Sequence, residues 1–471
     1  MITKNIKNLF YLLFPSILRS FSNLLIQIPL AAYYLSYEEI GILALIATLV
    51  FFILSIFSLN LVWDLQSKFL ILKNKGDQQY STYIFNVYFL EILFKIFLLV
   101  LAVFVYFFLK KFLEISISLE ITLCFFIYLI SGIFSKISEI NNLDFILKKK
   151  FNLSHNIDLL RVILNVVLAI IFFKFNFGIL SIVTSYLISN FICLIIEIYL
   201  IHRRINFNIK KKYLYDILSL SKKTFFPTTI SYSCDLFEKF SINNLFSLRE
   251  VGIYSNSKIF LNFFLMIYKN TLKNFLSDFI SNIKNKKLLN DIEKKLIDLN
   301  YLFLYSCIIV NFYSFDLLNI LSNGKFIESA SYIPFWYLVC IVSIQNFVYS
   351  NYLLAKKKIK ILLLTEIISS LFLLIFTYVI LKFFGIKTFI IFYLFTRLFL
   401  NYLRYYSIDK SKLFFSDYQI NFFKIFIFCL FLTIILSFQT IVYKIKFLIT
   451  ILIIIIMIVK IKEFLKFFIK T

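Results

Sequence analysis

The sequence predicts an all-α polytopic membrane protein of about 14 transmembrane helices, arranged as two pseudo-twofold-related six-helix lobes plus two C-terminal helices. Three observations carry that expectation. Of 471 residues, 61% are hydrophobic and 20% aromatic, where soluble domains hold roughly 45–50% apolar residues. Apolar stretches of about 20 residues, enough to cross roughly 30 Å of hydrocarbon, recur from end to end. The first and seventh of these stretches are also copies of one pattern.

Each copy places Phe-Pro at the head of an apolar helix, Phe14-Pro15 and Phe226-Pro227. Each then runs to a short acidic turn, Ser36…Glu39-Ile-Gly41-Ile42 and Ser247…Glu250-Val-Gly252-Ile253, and a second helix is expected to start at that glycine. The two glycines stand 211 residues apart. Later landmarks repeat too: Lys174-Phe-Asn-Phe-Gly178-Ile179 closes the fifth span, and Lys382-Phe-Phe-Gly385-Ile386 closes the eleventh. The chain therefore divides into an N-terminal lobe over 1–205, a C-terminal lobe over 206–410 and an appended pair of helices over 411–471. The basic, polar segment 202–222 is the break between lobes. Repeated lobes in a membrane point to a transporter.

The spans are expected at 9–35, 40–66, 80–109, 115–145, 157–174, 178–201, 225–246, 251–279, 296–319, 330–354, 361–384, 386–408, 421–441 and 445–462. Loop charge orients them. With the N-terminus in the cytoplasm, cytoplasmic segments hold 29 Lys and Arg against 9 on the opposite side, which places both termini in the cytoplasm. No small-residue cleavage pattern follows the first apolar stretch, so it is expected to remain as a span. The last two spans carry few polar residues and are expected to face lipid or a partner rather than line a path.

The formal charge of +25 is no nucleic-acid signature. The lysines sit in loops between spans, and no segment is long enough to fold a groove of its own. The 6 cysteines all fall inside spans without metal-ligand spacing, so they read as small buried residues. His155 and His202 are lone loop histidines. No metal and no cofactor is expected.

In order and spacing these motifs resemble the multidrug, oligosaccharidyl-lipid and polysaccharide exporter superfamily. The chain is most similar to its polysaccharide-biosynthesis branch, which includes the O-antigen flippases. The residues that carry the likeness are Pro227 before a polar helix, then Leu248-Arg-Glu250-Val-Gly252-Ile-Tyr254-Ser with Lys258 following. Glu38-Glu39-Ile-Gly41 after the first span and Asn323-Gly324-Lys-Phe326 ahead of Glu-Ser-Ala330 add to it. The chain departs from the family at Ser58-Leu-Asn60, where glycine is common, and at Lys269-Asn270-Thr271, where proline is common. The resemblance implies a flippase of the bacterial cytoplasmic (inner) membrane. It would carry an undecaprenyl-pyrophosphate-linked oligosaccharide to the outer leaflet by alternating access, without enzymatic chemistry. Its partners would be the lipid-linked oligosaccharide, membrane lipids, an H+ or Na+ coupling ion and the polysaccharide polymerase complex.

Charges in mid-span cost roughly 2.5–3.5 kcal/mol each on insertion scales, so those present are expected to face a wet cavity or a partner. Arg19, Asn23 and Gln27 follow i,i+4 steps and form a polar stripe in the first span. Arg19 suits an anionic diphosphate, which a guanidinium can bond twice, or else a structural ion pair. Lys258, Lys269 and Arg397 are the further candidate substrate-binding cations, although Lys258 lies near a span end and can snorkel. Asp235 and Glu238 share a face of the seventh span and are the candidate ion-coupling carboxylates, with Lys239 four residues after Asp235 as an alternative, purely structural partner. Ser131, Ser135, Ser138, Glu139 and Asn142 line one face of the fourth span and suit inter-helix hydrogen bonds. Glu91 and Lys95 form an i,i+4 pair, whereas Asp158, Arg161, Glu197 and Glu366, near cytoplasmic span ends, are expected to be solvated.

Abundant intramembrane cations fit an anionic cargo better than cationic drugs, which ranks the flippase above a cation-coupled multidrug exporter of the same superfamily. A membrane glycan polymerase or glycosyltransferase ranks lower. The first tends to carry one large external loop, and the second needs an acidic pair outside the hydrocarbon, while external loops here run to about ten residues.

Overall fold

The computed structural model describes residues 28–56, 77–112, 118–147, 151–202, 208–281, 286–355, 358–407 and 416–437. Most of the first predicted span, with Arg19, Asn23 and Gln27, lies outside the described residues, as does the fourteenth at 445–462.

The described chain is helical, with no strand. The helices are α1 (Ile28–Tyr34), α2 (Tyr37–Ile56), α3 (Asp77–Phe112), α4 (Leu119–Leu147), α5 (Phe151–Lys174) and α6 (Leu180–His202). They continue with α7 (Lys211–Leu245), α8 (Leu248–Ser281), α9 (Lys286–Ser322), α10 (Ile333–Ala355), α11 (Ile359–Tyr406) and α12 (Ser416–Ser437), and a short 3-10 turn at Ile327–Ser331 precedes α10. Among the described residues, 8 helices are long and apolar enough to cross a membrane. One of them, Lys360–Tyr406, runs for 47 residues. At about 1.5 Å per residue it would be roughly twice as long as the hydrocarbon is thick. Its backbone breaks at Gly385, with φ 80° and ψ 178°, a conformation essentially closed to residues with a Cβ. Two passes result, meeting where the sequence separates the eleventh span from the twelfth.

The described residues fall into two compact units, Tyr34–Gly252 and Ile253 onward, the latter including residues 28–33. In the first unit α4 packs between α6 and α2, α5 lies against α6, and α7 packs along α2 and α3. Tyr80, Tyr83, Ile84, Val87 and Leu90 of α3 form a buried cluster with Ile217 of α7. In the second unit α10 is central. Trp336, Tyr337, Cys340, Ile344 and Tyr349 are buried along it, and α9, α11 and α12 surround it.

The basic segment 202–222 holds the start of a helix. From Lys211 it is already helical and continuous with the seventh span. Tyr213, Leu214, Ile217 and Leu218 make an apolar stripe at i, i+1, i+4 and i+5, and that stripe docks on α3. Buried Asn86 fixes its start. Its amide donates to the Asn208 carbonyl at 2.8 Å and accepts from the Lys210 N–H at 3.0 Å. Similarly α9 begins ten residues before its predicted span, at Lys286.

The predicted thirteenth span begins five residues early, as α12, and only half faces outward. Tyr418, Phe422, Cys429 and Thr433 are buried, while Ile420, Ile427 and Phe431 are exposed. Asn311 of α9 donates to Thr433 at 3.1 Å, which ties the buried face to its neighbour.

The two acidic turns are true helix starts. Ser36 Oγ accepts from the Glu39 N–H at 3.2 Å and Glu39 Oε2 accepts from the Ser36 N–H at 2.7 Å, a reciprocal capping box. At the second copy Ser247 Oγ accepts from the Glu250 N–H at 3.3 Å. The glycines five residues after each serine serve a different need. A Cβ on Gly41 would run into the Leu248 carbonyl, and one on Gly252 into the Tyr37 carbonyl.

Candidate functional site

The richest assembly of candidate residues lies in the unit from Ile253 onward. The helix that Glu250 and Gly252 start carries Tyr254 into the core, where its ring meets Trp336 at 5.3 Å and Phe389 at 6.4 Å. One turn on, Ser257 Oγ accepts from the Trp336 indole N–H at 3.1 Å. Ser329, from the turn before α10, donates to the Ile253 carbonyl at 3.1 Å. These bonds lock the start of α8 onto α10.

Lys258 follows one turn beyond Tyr254. Its ammonium stands 5.7 Å from the Tyr254 ring centroid, 5.3 Å from Trp336 and 5.6 Å from Tyr393. Three ring faces converging on one cation hold it by its attraction to their π-electrons, worth about 2 kcal/mol or more each where water is excluded. The half-buried side chain is therefore held against rings of α8, α10 and α11.

Arg397 shares that third ring. Its guanidinium carbon lies 5.0 Å from the Tyr393 centroid, and its Nη2 donates to the Tyr393 hydroxyl at 2.7 Å. Nη1 approaches Glu366 Oε1 at 3.5 Å. The other Glu366 oxygen pairs with Arg404. Arg404, only 4% exposed, also donates to Ser350 at 2.7 Å and to the Asn346 side-chain oxygen at 3.4 Å. Lys258, Tyr393, Arg397, Glu366 and Arg404 thus form one continuous series with three cations and one anion. Lys269 lies farther along α8.

The candidate carboxylates of α7 are in the other unit. Glu238 is buried and Asp235 half-buried. Lys239 reaches α2, donating to the Ala44 carbonyl at 3.2 Å and to Thr48 Oγ1 at 2.7 Å.

Four residues expected to be solvated at span ends are instead paired, with Asp158 still 23% and Glu366 25% exposed. Arg161 donates to Asp158 at 2.8 Å, to Ser138 at 2.6 Å and to Glu197 at 2.7 Å. Glu197, 0% exposed, accepts further bonds from Ser138 at 2.7 Å and Asn141 at 2.8 Å. Glu366, 25% exposed, is paired with both of its arginines. Charges so placed must be paired, because burial removes their water. The i,i+4 pair Glu91–Lys95 is buried too, at 3.1 Å.

Two cations escaped the sequence reading. Lys136 chelates both oxygens of Glu139, at 3.1 and 3.0 Å. It sits on the serine-rich stripe of α4, which was the available signal. Arg404 reads as a loop charge because it neighbours the basic end of α11, yet Thr365, Ser350 and Asn346 give it polar partners. Among the described residues, no group of His, Cys, Asp and Glu could hold a metal ion.

The family model described as polysaccharide biosynthesis protein matches residues 30–331. Among solved structures, the lipid II flippase MurJ in an inward closed conformation superposes with a TM-score of 0.69 and 18% identity, over 96% of this chain and 97% of that one. The Vibrio cholerae MATE transporter VcmN in its bent form gives 0.59 and 13% over 91% and 99%. An inward-facing multidrug resistance MATE family transporter of the MOP superfamily gives 0.56 and 12% over 83% and 96%. A search of curated protein sequences finds no match. At these identities the structural likeness establishes the fold: that of the MOP transporters.

Proposed function

The chain belongs to the polysaccharide biosynthesis protein family, and from that premise we propose that it is a flippase for an undecaprenyl-pyrophosphate-linked oligosaccharide such as an O-antigen unit. The observation that carries the reading is the pair of cations on one ring: Lys258 and Arg397 both lie against Tyr393. Two cations held apart by an aromatic spacer suit a diphosphate, which carries its charge over two adjacent groups. A guanidinium bonds two oxygens of one phosphate, and an ammonium serves as a point charge for the other. The likeness to the lipid II flippase supports the same class of cargo.

In this reading the lobes 1–205 and 206–410 work by alternating access in the cytoplasmic membrane, both termini remain cytoplasmic, and helices from 411–471 are appended. The diphosphate exchanges its water for Lys258, Lys269, Arg397 and the Arg19, Asn23 and Gln27 stripe, while the lipid tail stays in the bilayer. Asp235 and Glu238 couple transport to H+ or Na+, and the product passes to the polymerase complex.

The likeness to MATE transporters supports a second reading, a cation-coupled multidrug exporter. Deleting the gene and complementing with Arg397→Ala or Lys258→Ala separates the two. The flippase reading expects loss of surface glycan at normal membrane protein level and an unchanged drug-susceptibility panel. Intact glycan with new drug sensitivity in the deletion strain would overturn it.

A further inference from the structure

Within each unit one joint ties three helices together by paired charge, and the two joints stand at equivalent positions. Ser138 and Asn346 are 208 residues apart, and so are Asp158 and Glu366; Glu197 and Arg404 are 207 apart. The one-residue change falls where the turn Lys174–Gly178 is one residue longer than Lys382–Gly385. The positions are therefore equivalent in the duplication: the carboxylate is kept at Asp158 and Glu366, whereas Glu197 gives way to Arg404 and Arg161 to Ser369. In the first joint two carboxylates, Asp158 and Glu197, surround the guanidinium of Arg161. In the second, two guanidiniums, Arg397 and Arg404, surround the carboxylate of Glu366.

Either polarity closes the joint. Across the helix pair Arg161 donates to Glu197 in one joint and Arg404 donates to Glu366 in the other, and Ser138 or Asn346 completes the joint from the third helix. What distinguishes the second joint is Arg397, seven residues before Arg404 on the same helical face, in contact with the spare oxygen of Glu366. Arg397 is 20% exposed, against 4% for Arg404. Arg404 closes the joint, and Arg397, bonded to Glu366 and Tyr393, is the more exposed of the two guanidiniums.

We propose that Glu366 is a positioning residue for transport. It aims Arg397 at the cargo diphosphate, with the Tyr393 hydroxyl fixing the opposite edge of the guanidinium. The proposal rests on the reading of Arg397 as a cargo-facing cation. A single carboxylate between two guanidiniums leaves a net positive charge, so an arriving phosphate meets an oriented cation that Glu366 steers without neutralising.

The test uses the full chain in its own membrane, in a deletion strain, with membrane protein level, melting temperature in detergent and surface glycan as readouts. The exchange E366R/R404E keeps an ion pair across the joint but moves the carboxylate about two turns away from Arg397. It is expected to retain protein level and melting temperature and to lose glycan at least tenfold, as Arg397→Ala does. Glycan within twofold of wild type in the exchange, with Arg397→Ala inactive, overturns the positioning role and leaves the flippase reading intact. Normal glycan in Arg397→Ala removes both the cargo role of Arg397 and the proposal. If the exchange does not accumulate, the neutral pair E366Q/R404Q is judged by the same criteria. Failure of both to accumulate shows that the joint tolerates only its native polarity, and the proposal falls.

Discussion

Gly41 rests on the Leu248 carbonyl, and Gly252 rests on the Tyr37 carbonyl. Tyr37 and Leu248 are themselves 211 residues apart, the spacing of the two glycines. Each copy of the repeated helix start therefore offers its glycine to the first residue of the other. The contact is self-complementary in the way of a twofold interface, although both halves belong to one chain. Backbone meets backbone, and no side chain can swing aside to admit a methyl group.

Gly41→Ala and Gly252→Ala are accordingly expected to force the two helix starts apart, each lowering stability by about 1–3 kcal/mol. Because one separation relieves both clashes, the double variant should cost clearly less than the sum of the singles. Melting temperatures of the purified variants measure this, and strict additivity would show the two contacts to be independent.

Tyr393 serves two cations in two ways, by its ring for Lys258 and by both ring and hydroxyl for Arg397. Tyr393→Phe removes one hydrogen bond to a charged group, worth about 1.5–3 kcal/mol, and keeps the ring. Surface glycan should fall moderately. Tyr393→Leu loses the ring for both cations and is expected to fall as far as the double variant Lys258→Ala with Arg397→Ala. Equal activity in the Phe and Leu variants would mean that the ring face contributes nothing.

The helix starts were legible because Ser-x-x-Glu followed by glycine has a local cause, a capping box and then a close approach. The break at Gly385 was legible for the same reason, since an apolar run of that length cannot be one pass and glycine marks the corner. The helical form of 211–222 was hidden by its lysines, which outweigh a four-residue stripe whose partner on α3 is more than a hundred residues away. The charge-paired joints were hidden more deeply. Asp158, Arg161, Glu197 and Glu366 look like surface charges until Ser138 and Asn346 are brought beside them by folding. Sequence spacing reports neighbours on one helix, as for Glu91 and Lys95, and is silent on which of three helices supplies the partner.

The joint of α4, α5 and α6 offers the sharpest stability prediction. Arg161→Met leaves buried Glu197 with two neutral donors and no cation, an unpaired buried charge that costs about 3–5 kcal/mol. Glu197→Leu strands less, because Arg161 keeps Asp158 at 2.8 Å. The order expected in membrane protein level and melting temperature is wild type above Glu197→Leu above Arg161→Met. The double variant should recover part of the loss shown by Arg161→Met, since removing both charges removes the desolvation they required. A double variant worse than either single would show that the joint is held by packing rather than by charge.

Gly385 separates strain from clash. A Cβ there would meet nothing within 4 Å, so a substitution is opposed by backbone conformation alone. At φ 80° and ψ 178° the residue lies outside the left-handed helical region that asparagine tolerates. Gly385→Ala and Gly385→Asn are therefore expected to cost alike, roughly 1–3 kcal/mol each. An asparagine variant as stable as wild type would mean that the corner relaxes into the left-handed region. The two passes of α11 would then join more flexibly than this backbone implies. Because Gly385 touches no charged group, the loss should appear as a lower melting temperature, with glycan production per folded molecule unchanged. A selective loss of transport would instead make the corner a moving part.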